Sequence, residues 1–152
     1  MVRQFRGYVG REHEVAYLQN KSGGSVAQGD VVVIDTANAK AFTTTTTSGY
    51  QSTRVGVVLD VNGIASNSYG FVAFGGWVPK INLSASCNVG DMVKTHSVAK
   101  QGVAFASPVV AGTFAEALEA SATPSALLFG MEAFVTTAAG FMPVALPLNA
   151  NR

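Results

Sequence analysis

Residues able to do chemistry are few in this chain, and their spacing completes no catalytic or metal motif. His13-Glu14-Val15-Ala16-Tyr17 begins like His-Glu-x-x-His, in which two histidines one helical turn apart hold zinc and the glutamate serves as base. Tyr17 stands in the second histidine's place, so two ligands cannot converge from one helical face. His96 is the only other histidine, and Cys87 is the only cysteine. Cys87 has no partner for an internal disulfide and no neighbouring base to activate it, so it reads as a buried apolar thiol. Glu116 and Glu119 would form an acid–base pair only if the fold brought both to a cleft; otherwise they are solvated strand positions. Lys94, after Met92-Val93, has the setting of a swinging lysine in biotinyl and lipoyl carrier domains but lacks the flanking pattern. No Gly-x-Ser-x-Gly elbow is present, and Gly70, Gly75 and Gly76 do not form a phosphate loop. The expectation is a protein that is not an enzyme and takes no cofactor or metal.

The elements that position these residues read as strands. Gly29-Asp30-Val31-Val32-Val33-Ile34-Asp35 has an echo at Gly90-Asp91-Met92-Val93-Lys94: in each, a Gly-Asp turn empties into apolar or β-branched residues. Glycine permits positive φ, and the Asp side chain can bond backbone amides two residues on, fixing where the strand begins. The four apolar residues after Asp30 suit burial on both faces. Residues 55–61 form a second strong strand, followed by the tight-turn signal Asn62-Gly63. Residues 69–78 read as an aromatic strand broken by glycines, where a bulge or sharp bend is expected, and Trp77 as a core or subunit-interface anchor. Further strands are expected at 91–95, 103–105 and 127–135. At 113–120 capping-box spacing competes with strand, and strand is preferred because the neighbours are strands. The threonine run 43–47 reads as a surface strand or exposed loop.

With 152 residues the chain fits one domain that needs no metal or disulfide to fold. Only 12% of residues are charged against 48% hydrophobic, with net charge +1, so the surface is weakly charged and prone to associate. The ten Lys and Arg are scattered, which argues against a nucleic-acid partner. No apolar run approaches the roughly 18 residues of a membrane span, and the N-terminal residues lack the hydrophobic region of a signal peptide. Charge and aromatic residues concentrate in 1–22, which reads either as an arm that adds a strand to a neighbour's sheet edge or as an ordinary first strand. Ser22-Gly23-Gly24-Ser25 reads as a flexible break. The organisation expected is an N-terminal arm (1–22), a β-rich domain (23–139) and a C-terminal tail (140–152) running along a surface.

Gly24-Ser25-Val26-Ala27-Gln28-Gly29-Asp30-Val31-Val32-Val33, Arg54-Val55-Gly56-Val57-Val58, Gly76-Trp77-Val78, Val89-Gly90-Asp91-Met92-Val93 and Gly112-Thr113-Phe114-Ala115-Glu116-Ala117-Leu118-Glu119-Ala120 resemble, in order and spacing, the capsid decoration (cement) proteins of tailed bacteriophages. The resemblance covers about residues 24–135 and rests on turns and strands rather than reactive groups. It implies an all-β fold, a compact antiparallel β-barrel or β-tulip-like domain with an extended N-terminal arm. It implies a homotrimer on the outer surface of the virion head, where it clamps major capsid protein subunits and stabilises the expanded shell against packaged DNA. Phe5, Arg6 and Tyr8 are the expected capsid contacts, with Trp77 at or near a subunit interface. A receptor- or carbohydrate-binding head protein, using aromatics such as Tyr50 and Tyr69 with the threonine-rich loop, is the alternative. A cell-wall hydrolase using Glu116 and Glu119 is a third class.

Overall fold

A computed structural model describes residues 13–49, 51–106, 110–120, 129–131, 134–137 and 140–143, with His13 and the last three segments described through their backbone. The described residues form eleven strands and no helix: β1 His13–Asn20, β2 Val31–Ile34, β3 Ala41–Thr43, β4 Val55–Val58, β5 Tyr69–Val78, β6 Met92–Thr95, β7 Gly102–Phe105, β8 Thr113–Ala117, β9 Phe129–Met131, β10 Phe134–Thr137 and β11 Gly140–Pro143.

The two Gly-Asp turns are built alike, bond for bond. Gly29 and Gly90 have φ of 90° and 86°, and each occupies the third position of a type II turn closed by Asp30 N–H to Ala27 O (3.0 Å) and Asp91 N–H to Asn88 O (3.1 Å). Each Asp carboxylate accepts the amide three residues before it, from Ala27 and from Asn88, both at 2.8 Å. The side chain therefore clamps the turn backwards rather than bonding residues further on. Each turn then ties to a later strand: Gly29 N–H to Val58 O and Val58 N–H to Asp30 O in one, Gly90 N–H to Ala117 O and Ala117 N–H to Asp91 O in the other.

The pairings around the turns also recur. β2 lies between β3 and β4, β4 pairs β5, β5 pairs β1, and β1 returns to β3 in parallel, which closes a five-stranded barrel. In the second half β6 lies between β7 and β8, β8 pairs β9, β9 pairs β5, and Leu83, just past β5, bridges Gly102 of β7 in parallel. Even the closing bond repeats, as Lys21 N–H to Phe42 O and Ser84 N–H to Gly102 O, both 2.9 Å. β5 ends the first circuit and begins the second. Closure pairs most of the strand edges; His13–Leu18 of β1 have β5 as their one described partner, and β7 meets the start of its circuit through a bridge.

Because the halves share a wall, β2, β4 and the Val72–Gly76 part of β5 are buried on both faces. Val32, Val58, Val72 and Phe74 point into the barrel with Leu18, Phe42 and Ile64, while Val31, Val57 and Ala73 point into the second half with Val78, Ile81, Val93 and Phe114. This is the physical reason for the unbroken apolar run after Asp30. β6, at the equivalent place but with no third unit beside it, leaves one outward position partly open: Met92, Val93 and Thr95 are buried, and Lys94 is partly exposed. A bulge in β5 puts Phe74 between the residues opposite Glu14 and Val15, where the glycine-broken strand predicts one, and Gly76 has φ 83°.

The all-β fold and its barrel, including strand rather than helix at Thr113–Ala117, agree with the sequence expectation. Several boundaries differ. Of the two readings of residues 1–22, arm or ordinary first strand, the second holds for His13–Asn20, which is β1 and closes the barrel because Leu18 and Asn20 alternate inward; residues 1–12 lie outside the described residues. The expected flexible break at 22–25 is tethered: fully buried Asn20 donates to Gly24 O and Ile64 O and accepts from the amide and hydroxyl of Ser22. The strand expected at 127–135 is two short strands in different sheets, and residues 140–143, expected in the tail, pair antiparallel with β10.

Candidate interaction surface

Four of the exposed large hydrophobics among the described residues share the outside of the barrel, on β1 and β5. Alternation turns Val15 and Tyr17 outward on β1, and Tyr69 and Phe71 outward on β5, in the stretch of β5 that the second half does not cover. Tyr17 lies opposite Phe71 in register, with ring centroids 4.9 Å apart, and stacks on Tyr69 at 5.7 Å with 21° between the planes. Tyr17 is 57% exposed, and Val15, Tyr69 and Phe71 each nearly half. The other exposed large hydrophobics described are Trp77 and single valines, Val61, Val89, Val98 and Val110. Past Val15, on the inward side at the barrel's end, Glu14 pairs with Arg54 (3.5 Å), whose guanidinium donates to Phe74 O and lies over the ring of that core residue. At the other end Lys21 donates to the side chain of Asn67, and Gln19 to Asn67 O.

Of the residues the sequence singles out, Trp77 sits on β5 opposite Gly130 and is 37% exposed. Phe5, Arg6, Tyr8 and Tyr50 lie outside the described residues. Tyr69 belongs to the aromatic face; Tyr17 is read in the sequence as a failed zinc ligand and as one of the aromatics of the 1–22 segment. The signal that could have found it is alternation: Val15, Tyr17 and Gln19 occupy one side of β1.

The titratable groups are dispersed. Among the described residues no three of His, Cys, Asp and Glu gather as a metal would require. The His96 Nδ1 accepts the Val98 amide. Glu116 lies on β8 opposite Met92, Glu119 is exposed beyond the strand, and Lys94 holds its ammonium 5.2 Å from the Phe105 ring centre. Cys87 is buried, with Sγ 3.8 Å from Glu119 O. An open cleft of about 480 Å³ between Ser25, Asp30, Asn62, Ile64 and Lys100 has its charged groups engaged: Lys100 donates to Ser25 O, and the Asp30 oxygens accept from Ala27 N–H and the Asn82 amide. The threonine run leaves β3 as a loop stapled to the second half, where fully buried Thr95 donates to Thr47 O and Gly49 O and accepts from Gln51. The loop thus has a structural task.

What the arrangement offers is a rigid scaffold carrying an exposed aromatic face. Protein-family models, curated proteins and solved structures yield no match to this chain.

Proposed function

We propose that the protein is a structural capsid decoration protein, which binds the outer surface of a phage head as a homotrimer and stabilises the expanded shell of major capsid protein. The observation that carries this reading is the aromatic face on a closed barrel: a stiff body with a preformed contact surface suits a clamp. The order of turns and strands that resembles cement proteins supports it, as does a chain with only 12% charged residues. The mechanism is avidity. Contacts that are weak singly bind tightly when three are held at one site at high effective concentration. Phe5, Arg6 and Tyr8 are the proposed capsid contacts, with Trp77 at or near a subunit interface.

The test is cosedimentation with expanded heads that lack decoration, comparing the intact protein with a deletion of residues 1–12. Stoichiometric binding, lost on deletion while the melting profile is kept, is the expected result. No binding by the intact protein would sink the proposal. The receptor- or carbohydrate-binding alternative is favoured by one feature, the stacked tyrosines, whose exposed rings suit the apolar face of a sugar. Glycan-array binding by the isolated protein is its signature.

A further inference from the structure

We infer that the outer face of β1 and β5, made by Val15, Tyr17, Tyr69 and Phe71, is the surface on which a second copy of this chain docks. The inference deepens the proposed function, since it names the surface through which the oligomer of that reading forms.

Three observations select this occupant. The face continues an interface already made within the molecule: along β5, outward-facing Ala73 is buried against the second half, whereas Phe71 and Tyr69, two and four residues earlier on the same side, are left open. The chain therefore covers the outside of its barrel with another unit of its own topology, and the cover stops where the aromatics begin. Second, Tyr17, Tyr69 and Phe71 are already packed on one another, so the patch is preorganised and little side-chain freedom is lost on docking. Large aromatics with few rotatable bonds are the side chains enriched at the cores of protein interfaces. Third, the nearest charged side chains lie at its border, Lys21 on Asn67 at one end and Asp60 beside Phe71, whose amide it accepts. That is a dry centre with a polar rim, and near-neutral charge opposes no approach of like to like.

The position of the rings sets the mode. Tyr17, Tyr69 and Phe71 stand off the sheet in a stretch where β1 and β5 already pair each other, so the contact is made by side chains, face against face.

The experiment is light scattering on the full chain over a hundredfold concentration range, with Phe71→Arg and Tyr17→Glu as variants. Each variant's fold is checked by its far-ultraviolet spectrum and melting curve. Expected is a wild-type mass at a multiple of 15.7 kDa, falling to 15.7 kDa in either folded variant. Hydrogen exchange on the wild type needs no variant: β1 and the 69–73 part of β5 should gain protection as concentration rises. A wild type that is monomeric throughout, including one that binds a glycan through this face instead, overturns the inference. So does a folded variant that keeps the wild-type mass, or protection gained elsewhere. The outcomes are separable from those of the proposed function: an oligomer that uses this face but ignores heads removes the decoration role alone, and head binding by an oligomer built on another face removes the interface alone.

Discussion

At the scale of single residues, the turns make the sharpest demands. Gly90 has φ 86° with open space where a Cβ would sit, so Gly90→Ala isolates backbone strain and should cost about 1–2 kcal/mol in urea unfolding. Gly29→Ala carries the same strain, and its Cβ would also lie 2.8 Å from Lys80 Cγ; that flexible stem can move, so the cost should be equal or slightly larger. Equal stability of Gly90→Ala and wild type would contradict the turn assignment. Asp35 gives a pH dependence. Its carboxylate accepts from the Asn38 side-chain amide and then from the Ala37 amide, and these hold its pKa below the ordinary 3.8. A depressed folded pKa stabilises above the unfolded value and loses that contribution as pH falls through the folded one. Asn38→Ala should therefore be less stable than wild type at pH 6, and the gap should narrow below pH 3.8. An NMR titration of the carboxyl carbon, shifted upward in the variant, provides the direct check.

At the scale of elements, the shared wall makes neighbouring residues answer to different cores. Val31→Ala and Val32→Ala each open a cavity, one in the second half and one in the barrel, and each should cost about 1.5–3 kcal/mol. In β6 the neighbours Val93 and Lys94 should split: Val93→Ala costs as much, whereas truncating partly exposed Lys94 costs well under 1 kcal/mol. Urea midpoints of the four variants measure this, and a small effect at either β2 valine would refute burial on both faces. Gly56 has a related role. A Cβ there would lie 2.6 Å from Val72 Cγ1 and 2.7 Å from Phe74 Cε1, so Gly56→Ala should lose about 1–3 kcal/mol to overpacking.

At the scale of the molecule, β1 ties any test of the N-terminus to the fold. Deleting residues 1–20 removes Leu18 and Asn20 from the barrel and opens its closure, so that variant should lose the cooperative melt. Deletion of 1–12 should keep it, which is why head binding is tested with the shorter deletion. A 1–20 deletion that melts like wild type would show that the barrel does not depend on β1.

The sequence by itself determined the central strands and the two Gly-Asp turns. Positive φ, carboxylate clamping and β-branched runs are local preferences, readable at residues 29–34, 69–78 and 90–95. It also set the weak charge that points to association. Only the tertiary structure decided that the turns mark two circuits with matching pairings, that β5 belongs to both, and that His13–Asn20 is a barrel strand. Pairing depends on which distant strands share hydrogen bonds, as Gln19 does with Ala41 and Tyr69, and local propensity carries no record of that. The aromatic face was hidden for the same reason. Tyr17 and Phe71 lie far apart in the chain and become neighbours only when antiparallel register sets them side by side.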